Sequence, residues 1–243
     1  MKIHKGKRPA PRKCLVYGGP GVGKSTFASQ APSPVFIPTE DGLGEIDCHS
    51  FDLAKHYDDV LVAIGQLYSE DHNYKTVCID SVDWLESLIW EKICDDQKVD
   101  TIEIASGGYG KGYVLAAQLM GDVLTGLNAI REKNGMHVIL ISHGRTERHA
   151  DPEQPDYDRW APKLHKHVSA KVMEWCDEVL FAMPKVFTTT EEGTFGKKST
   201  KALSTGQRVL RTIDKATARA KNRLGLPEEI ELKWQAYADH FSK

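Results

Sequence analysis

The chain has 243 residues, 40% hydrophobic and 27% charged, with a formal net charge of −2. That length suits one α/β domain with a covered sheet and a modest extension, and argues against a second independent domain. Five cysteines, at 14, 48, 78, 94 and 176, are odd in number and widely spaced, which fits reduced core residues of a cytoplasmic protein and not a disulfide frame. No C-x-x-C pair exists and His165-x-His167 has no second ligand pair nearby, so zinc is disfavoured. The basic N-terminus has no apolar stretch behind it, and no uninterrupted apolar run reaches about 18 residues; neither secretion nor membrane insertion is supported.

Charge is unevenly spread. Residues 1–24 hold seven Lys or Arg and no acid, and residues 196–223 hold nine basic residues against Asp214 alone. These stretches carry +7 and +8, so the remainder carries −17 to reach −2. Two basic segments on an otherwise acidic chain suggest a polyanion-facing surface, although a solvated tail and a nucleotide site would need some of the same lysines.

The first predicted element is a buried strand over 13–17, followed by Gly18-Gly19-Pro20-Gly21-Val22-Gly23-Lys24-Ser25. This is a complete G-x-x-x-x-G-K-[ST] phosphate-binding loop in the required strand–loop–helix context. Its glycines let successive N–H groups approach a pyrophosphate, Lys24 reaches the β/γ-phosphates, and the Ser25 hydroxyl is placed to ligate Mg²⁺. Gly18 to Thr26 is therefore the expected nucleotide-binding segment, opening a helix over 24–30. A second strand, 35–38, ends at Thr39-Glu40. Parallel strands share one C-terminal edge, so Glu40 can face the same nucleotide and orient or deprotonate water; the competing reading of Glu40-Asp41-Gly42 is a plain turn.

A helix over 53–69 precedes the strand 76–79, whose end at Asp80-Ser81 has the Walker B pattern. Asp80 is expected to accept a water or hydroxyl of the Mg²⁺ shell. Helices follow over 82–98 and 113–132, separated by Gly107-Gly108-Tyr109-Gly110-Lys111-Gly112-Tyr113, either a flexible aromatic–basic loop or a hinge. The strand 137–141 carries Ser142 and His143 at its tip, where either could hydrogen-bond the γ-phosphate; a solvated loop histidine is the alternative. Residues 144–161 show no helical period and are expected to form a long functional loop. There Arg145, Arg148, Arg159, Tyr157 and Trp160 could contact single-stranded nucleic acid, against five intervening acids. A helix over 163–175 and a strand over 178–182 complete the alternation, which means a mostly parallel, doubly wound sheet with helices on both faces. Antiparallel strands 186–190 and 208–213 and a short helix after Pro227 form a C-terminal extension. The expected divisions are a basic arm at 1–12, a core at 13–184 and the extension at 185–243.

Together these positions resemble the RecA-type ATPase core. Val35-Phe36-Ile37-Pro38-Thr39-Glu40-Asp41-Gly42-Leu43 is similar to the RecA strand whose terminal glutamate activates water, and Ile79-Asp80-Ser81-Val82 to its Walker B element. The strand 137–143 stands at the place of the γ-phosphate sensor, where RecA carries glutamine and this chain His143. Ala220-Lys221-Asn222-Arg223 resembles the Lys-x-Arg element of DnaB-type hexameric helicases, which reaches into a neighbouring subunit's ATP; on an extended segment Lys221 and Arg223 share one face. With Gly-Tyr-Gly-Lys-Gly-Tyr, the combination is similar to phage-encoded RecA-like ATPases of the single-strand-annealing recombinase group, over about residues 12–230. That resemblance implies an ATPase using ATP and Mg²⁺, with Lys24, Glu40, His143, Lys221 and Arg223 in catalysis. It also implies a ring or filament of identical subunits in the host cytoplasm, single-stranded DNA as partner, and a single-strand-binding protein as a further candidate. Two other readings stay open: a nucleotide-switched loader of a replication or recombination partner, and a small-molecule P-loop kinase.

Overall fold

The computed structural model describes residues 3, 5–6, 10–192 and 198–241, and side chains except at 187–192 and 198–205. Part of the expected basic arm and residues 193–197 lie outside the described residues. The strands are β1 (Lys13–Gly18), β2 (Pro34–Pro38), β3 (His49–Ser50), β4 (Thr76–Asp80), β5 (His137–His149), β6 (Tyr157–Pro162), β7 (Glu178–Glu192), β8 (Lys198–Arg211) and β9 (Glu229–Glu231). The helices are α1 (Lys24–Ser29), α2 (Tyr57–Ser69), α3 (Val82–Gln97), α4 (Lys111–Asn134), α5 (Lys166–Trp175) and α6 (Trp234–Ala238).

One sheet runs β3-β2-β4-β5-β1-β7-β8-β9, with β6 paired to β5. Pairings from β3 to β7 are parallel, and those of β6, β8 and β9 antiparallel. The central strands alternate between two buried faces, so both sides must be covered. Leu15, Val77, Ile79, Val138, Leu140 and Val179 enter a core shared with α2, α3, α4 and α5. Cys14, Val16, Cys78, Ile139, Ile141 and Leu180 pack against α1 and the segment ending in Trp234 and Tyr237. The expected fold class is thus the observed one. Helix α4 is long and apolar enough to span a membrane, but its Ala116, Met120, Val123, Leu127 and Ile130 are buried in the first core.

Two expectations are corrected. Residues 144–161 are not a long loop: β5 continues to His149 and pairs with β6 as a hairpin, from Gly144↔Pro162 to His149↔Tyr157. Cross-strand charge pairing replaces an apolar face, with Arg148 3.6 Å from Asp156 and Arg159 3.5 Å from Glu147. The strands expected at 178–182 and 186–190 are one strand, β7, whose pairing with β8 shifts register between Pro184 and Val186. Proline lacks a ladder donor, so the irregularity falls there. The expected boundary at 184/185 lies inside this strand.

Candidate active site

Because β5 lies between β1 and β4, its tip stands between the phosphate loop and Asp80. Register places Gly18 beside His143 and, across β5, Asp80 beside Ile141. The loop leaves β1 where β7 is equally close: a Cβ on Gly18 would collide with the carbonyl oxygen of Ala182. Gly21 and Gly23 have φ of 69° and 104°, which a side chain would strain.

Lys24 is 6% exposed, and its Nζ donates to the carbonyls of Gly18 at 3.3 Å and Gly19 at 3.0 Å. Burial lowers its pKa, and the negative charges of Asp80, Asp83 and Glu40 oppose that. Ser25 Oγ donates to Asp80 Oδ2 at 2.6 Å, so the two metal-binding candidates meet across 55 residues of sequence. Burial raises the Asp80 pKa; the Ser25 hydrogen bond opposes it and Glu40 adds to it. Beside Asp80, the buried Ser81 Oγ has no hydrogen-bond partner among the described residues. This hard-oxygen set suits Mg²⁺ held jointly with phosphate oxygens: Ser25 and Asp80 would hold the ion, and Gly18–Thr26 the phosphates.

Glu40 is positioned by the residue before it. Thr39 N–H donates to the Asp80 carbonyl at 2.8 Å, Thr39 Oγ1 donates to the Ser81 carbonyl at 2.6 Å, and Ser81 N–H returns to Thr39 Oγ1 at 2.9 Å. The tips of β2 and β4 are thereby tied, and Glu40 is held with Oε1 3.9 Å from His143 Nδ1. His143 is held from α3. Asp83 Oδ1 accepts its backbone N–H at 2.9 Å and Asp83 Oδ2 lies 2.9 Å from Nδ1. An ionised carboxylate only accepts, so the proton sits on Nδ1 and Nε2 is the free ring position. The structure therefore brings Lys24, Ser25, Glu40, Asp80 and His143 to one sheet edge.

Lys221 and Arg223 are not among them. They lie at the opposite sheet edge, where Lys221 pairs with Val179 at the start of β7. Lys221 Nζ donates to the carbonyls of Met173 at 3.0 Å, Glu174 at 3.0 Å and Cys176 at 2.7 Å. It thus caps the end of α5 with all three of its donors. Arg223 reaches Asp177 at 3.3 Å with 59% of its side chain exposed. A further cation beside the loop has no counterpart in the sequence reading: Arg208 of β8 lies against Gly23, where a Cβ would come 3.0 Å from Nη1. Asp83 was also missed, since its partner lies 60 residues on. Of the hairpin's expected nucleic-acid contacts, Arg159 is 8% exposed and serves the interior, whereas Trp160 stacks on Phe181 at 5.7 Å yet stays 39% exposed. Arg145, Arg148 and Tyr157 face outward less completely buried, and Tyr109 in the glycine-rich turn is fully exposed.

A complete phosphate loop after β1, with Asp80 two strands away at the tip of β4 and bonded to the loop's Ser25, defines a P-loop nucleoside triphosphatase core. Residues 10–224 match the family model described as an AAA domain, and the chain belongs to that family. No curated protein matches it.

Proposed function

We propose that the protein binds ATP with Mg²⁺ at the strand tips and hydrolyses it, and that this cycle serves single-stranded DNA handling in recombination or annealing. The observation that carries hydrolysis is Glu40: a carboxylate fixed at the site through Thr39, separate from the Ser25–Asp80 pair, with the sensor histidine 3.9 Å away. A general base so placed takes a proton from water, which a kinase has to keep from the phosphoryl group. Lys24 would leave the loop carbonyls for phosphate oxygens. Bound Mg²⁺ would supply charge neutralisation on those oxygens, and His143 would present its ring to the γ-phosphate end.

DNA binding is supported by the two basic segments and by the exposed Tyr109 beside Lys111, an aromatic–basic face of the kind that stacks bases. Exposed Arg223 is the residue suited to reach a neighbouring subunit's nucleotide, in a ring or filament. A second reading, a nucleotide-switched loader of a protein partner, is favoured by the hairpin itself. Its Arg148 is paired with Asp156 and Asp158, and an arm with five acids against three arginines suits a protein surface better than a phosphate backbone.

Steady-state ATP turnover with and without single-stranded DNA, over a range of salt, tests the proposal. DNA handling predicts stimulation that falls with salt at a log–log slope of about −0.7 per phosphate neutralised. Slow turnover that DNA does not change at any salt would favour the loader, and no turnover with Mg²⁺ present would overturn hydrolysis.

A further inference from the structure

Helix α3 starts two residues after Asp80 and carries two buried acids on one face, Asp83 and Glu86, three residues apart. Neither forms a salt bridge with a Lys or Arg among the described residues. Asp83 accepts the backbone N–H of His143 at 2.9 Å. Glu86 accepts the backbone N–H of His165 with both oxygens, at 3.1 and 2.9 Å. His143 and His165 flank the β5–β6 hairpin: His143 precedes its first pair, Gly144↔Pro162, and His165 follows its last strand by three residues. Lys163 N–H closes the root on the His143 carbonyl at 2.8 Å. Helix α3 thus grips the hairpin at both roots.

The same roots touch the phosphate loop. Gly144 packs on Gly18, where a Cβ would lie 3.2 Å from the Gly18 backbone. Gly18 also offers the carbonyl that Lys24 holds. A phosphate that draws Lys24 away changes the charge and the packing next to the gripped segment. A buried carboxylate is a costly way to hold a backbone N–H, which a neutral amide would hold as well; Asp83 holds the His143 ring besides. Two of them on one helix face, directly after the Walker B acid, make a lever whose position follows the charge at the site.

We infer that Asp83 and Glu86 are positioning residues that couple the nucleotide state at Lys24, Glu40 and His143 to the 144–162 hairpin, making that hairpin the moving output of the cycle. Such coupling requires the hairpin to have two arrangements that nucleotide biases differently. The inference rests on the ATPase reading above.

The test is amide hydrogen exchange across 144–162 in the full chain, without nucleotide and with a non-hydrolysable ATP analogue plus Mg²⁺. It is run on the wild type, Asp83→Asn and Glu86→Gln, with analogue affinity and turnover measured in parallel. The wild type is expected to change hairpin exchange by about threefold or more on binding. Asp83→Asn keeps an oxygen for the His143 N–H but loses the anionic acceptor for Nδ1–H. It should bind analogue within about threefold of wild type, lose the hairpin response, and lower kcat by about tenfold with KM little changed. Glu86→Gln should weaken the response in the same direction. A wild type that binds and hydrolyses ATP with no change in hairpin exchange overturns the coupling, whether or not either variant folds. So does an undiminished response in both variants. A wild type that neither binds the analogue nor turns over ATP instead overturns the ATPase reading, and the inference with it.

Discussion

The two edges of the central sheet use charge in opposite ways. At the N-terminal edge charged groups find partners within the protein: Arg12 Nε donates to Glu178 at 3.2 Å, and Tyr237 OH donates to the same carboxylate at 2.6 Å. Lys221 there has a carbonyl for each donor. At the C-terminal edge the partners are provisional. Among the described residues Lys24 rests on two loop carbonyls without a salt bridge, Asp80 has a hydroxyl where a cation fits, and Glu40 has a histidine ring 3.9 Å away. Both edges bury charge; only one leaves it in want of a ligand, and that difference separates a structural network from a reactive one.

The comparison is broken most strongly by removing the loop cation. Lys24→Ala should abolish measurable turnover and weaken ATP binding by orders of magnitude, with little change in melting temperature, as read by nucleotide titration and thermal unfolding. On the other edge the signs reverse. Glu178→Ala strands Arg12 and the buried Tyr237 hydroxyl, and should cost about 3–5 kcal/mol of stability in denaturant unfolding while turnover per folded molecule stays near wild type.

A smaller effect sharpens the contrast through pH. Burial holds the Glu86 carboxyl up at about 7, opposed by its bond from His165 N–H and by the Arg145 charge and aided by the Asp83 charge. Between the ordinary carboxylate value and about 7 the folded protein keeps a proton that the unfolded chain has released. Stability from this group therefore falls as pH rises through that window and is level above it. The loss is on the order of 2 kcal/mol after allowance for partial solvation. Glu86→Gln should flatten that slope and be the more stable protein at pH 8, measured by unfolding at several pH values.

How much of this was readable without the structure depends on how local each signal is. The phosphate loop, Glu40 and Asp80 stand at the ends of short apolar strands, and strand tips in a parallel sheet converge by geometry alone. The hairpin was misread because neither strand is apolar. Its signal was a mirror: Glu147-Arg148 on one side and Asp158-Arg159 on the other, across a segment holding Pro152 and Pro155, now seen as the pairs Glu147↔Arg159 and Arg148↔Asp158. Asp83 and Glu86 had no such signal, since each bonds a backbone N–H 60 or 79 residues away. Which edge of the sheet Lys221 and Arg223 meet is set by the bridge to Val179, a contact no spacing encodes.

The central claim is that the edge with provisional partners hydrolyses ATP through Glu40. Its most direct test is Glu40→Gln, assayed side by side for ATP binding and for single-turnover phosphate release. The amide fills the same space but takes no proton, so binding should stay within a few-fold of wild type while release slows by about 10²–10⁴. Phosphate release at a near wild-type rate would contradict it and remove Glu40 from the chemistry.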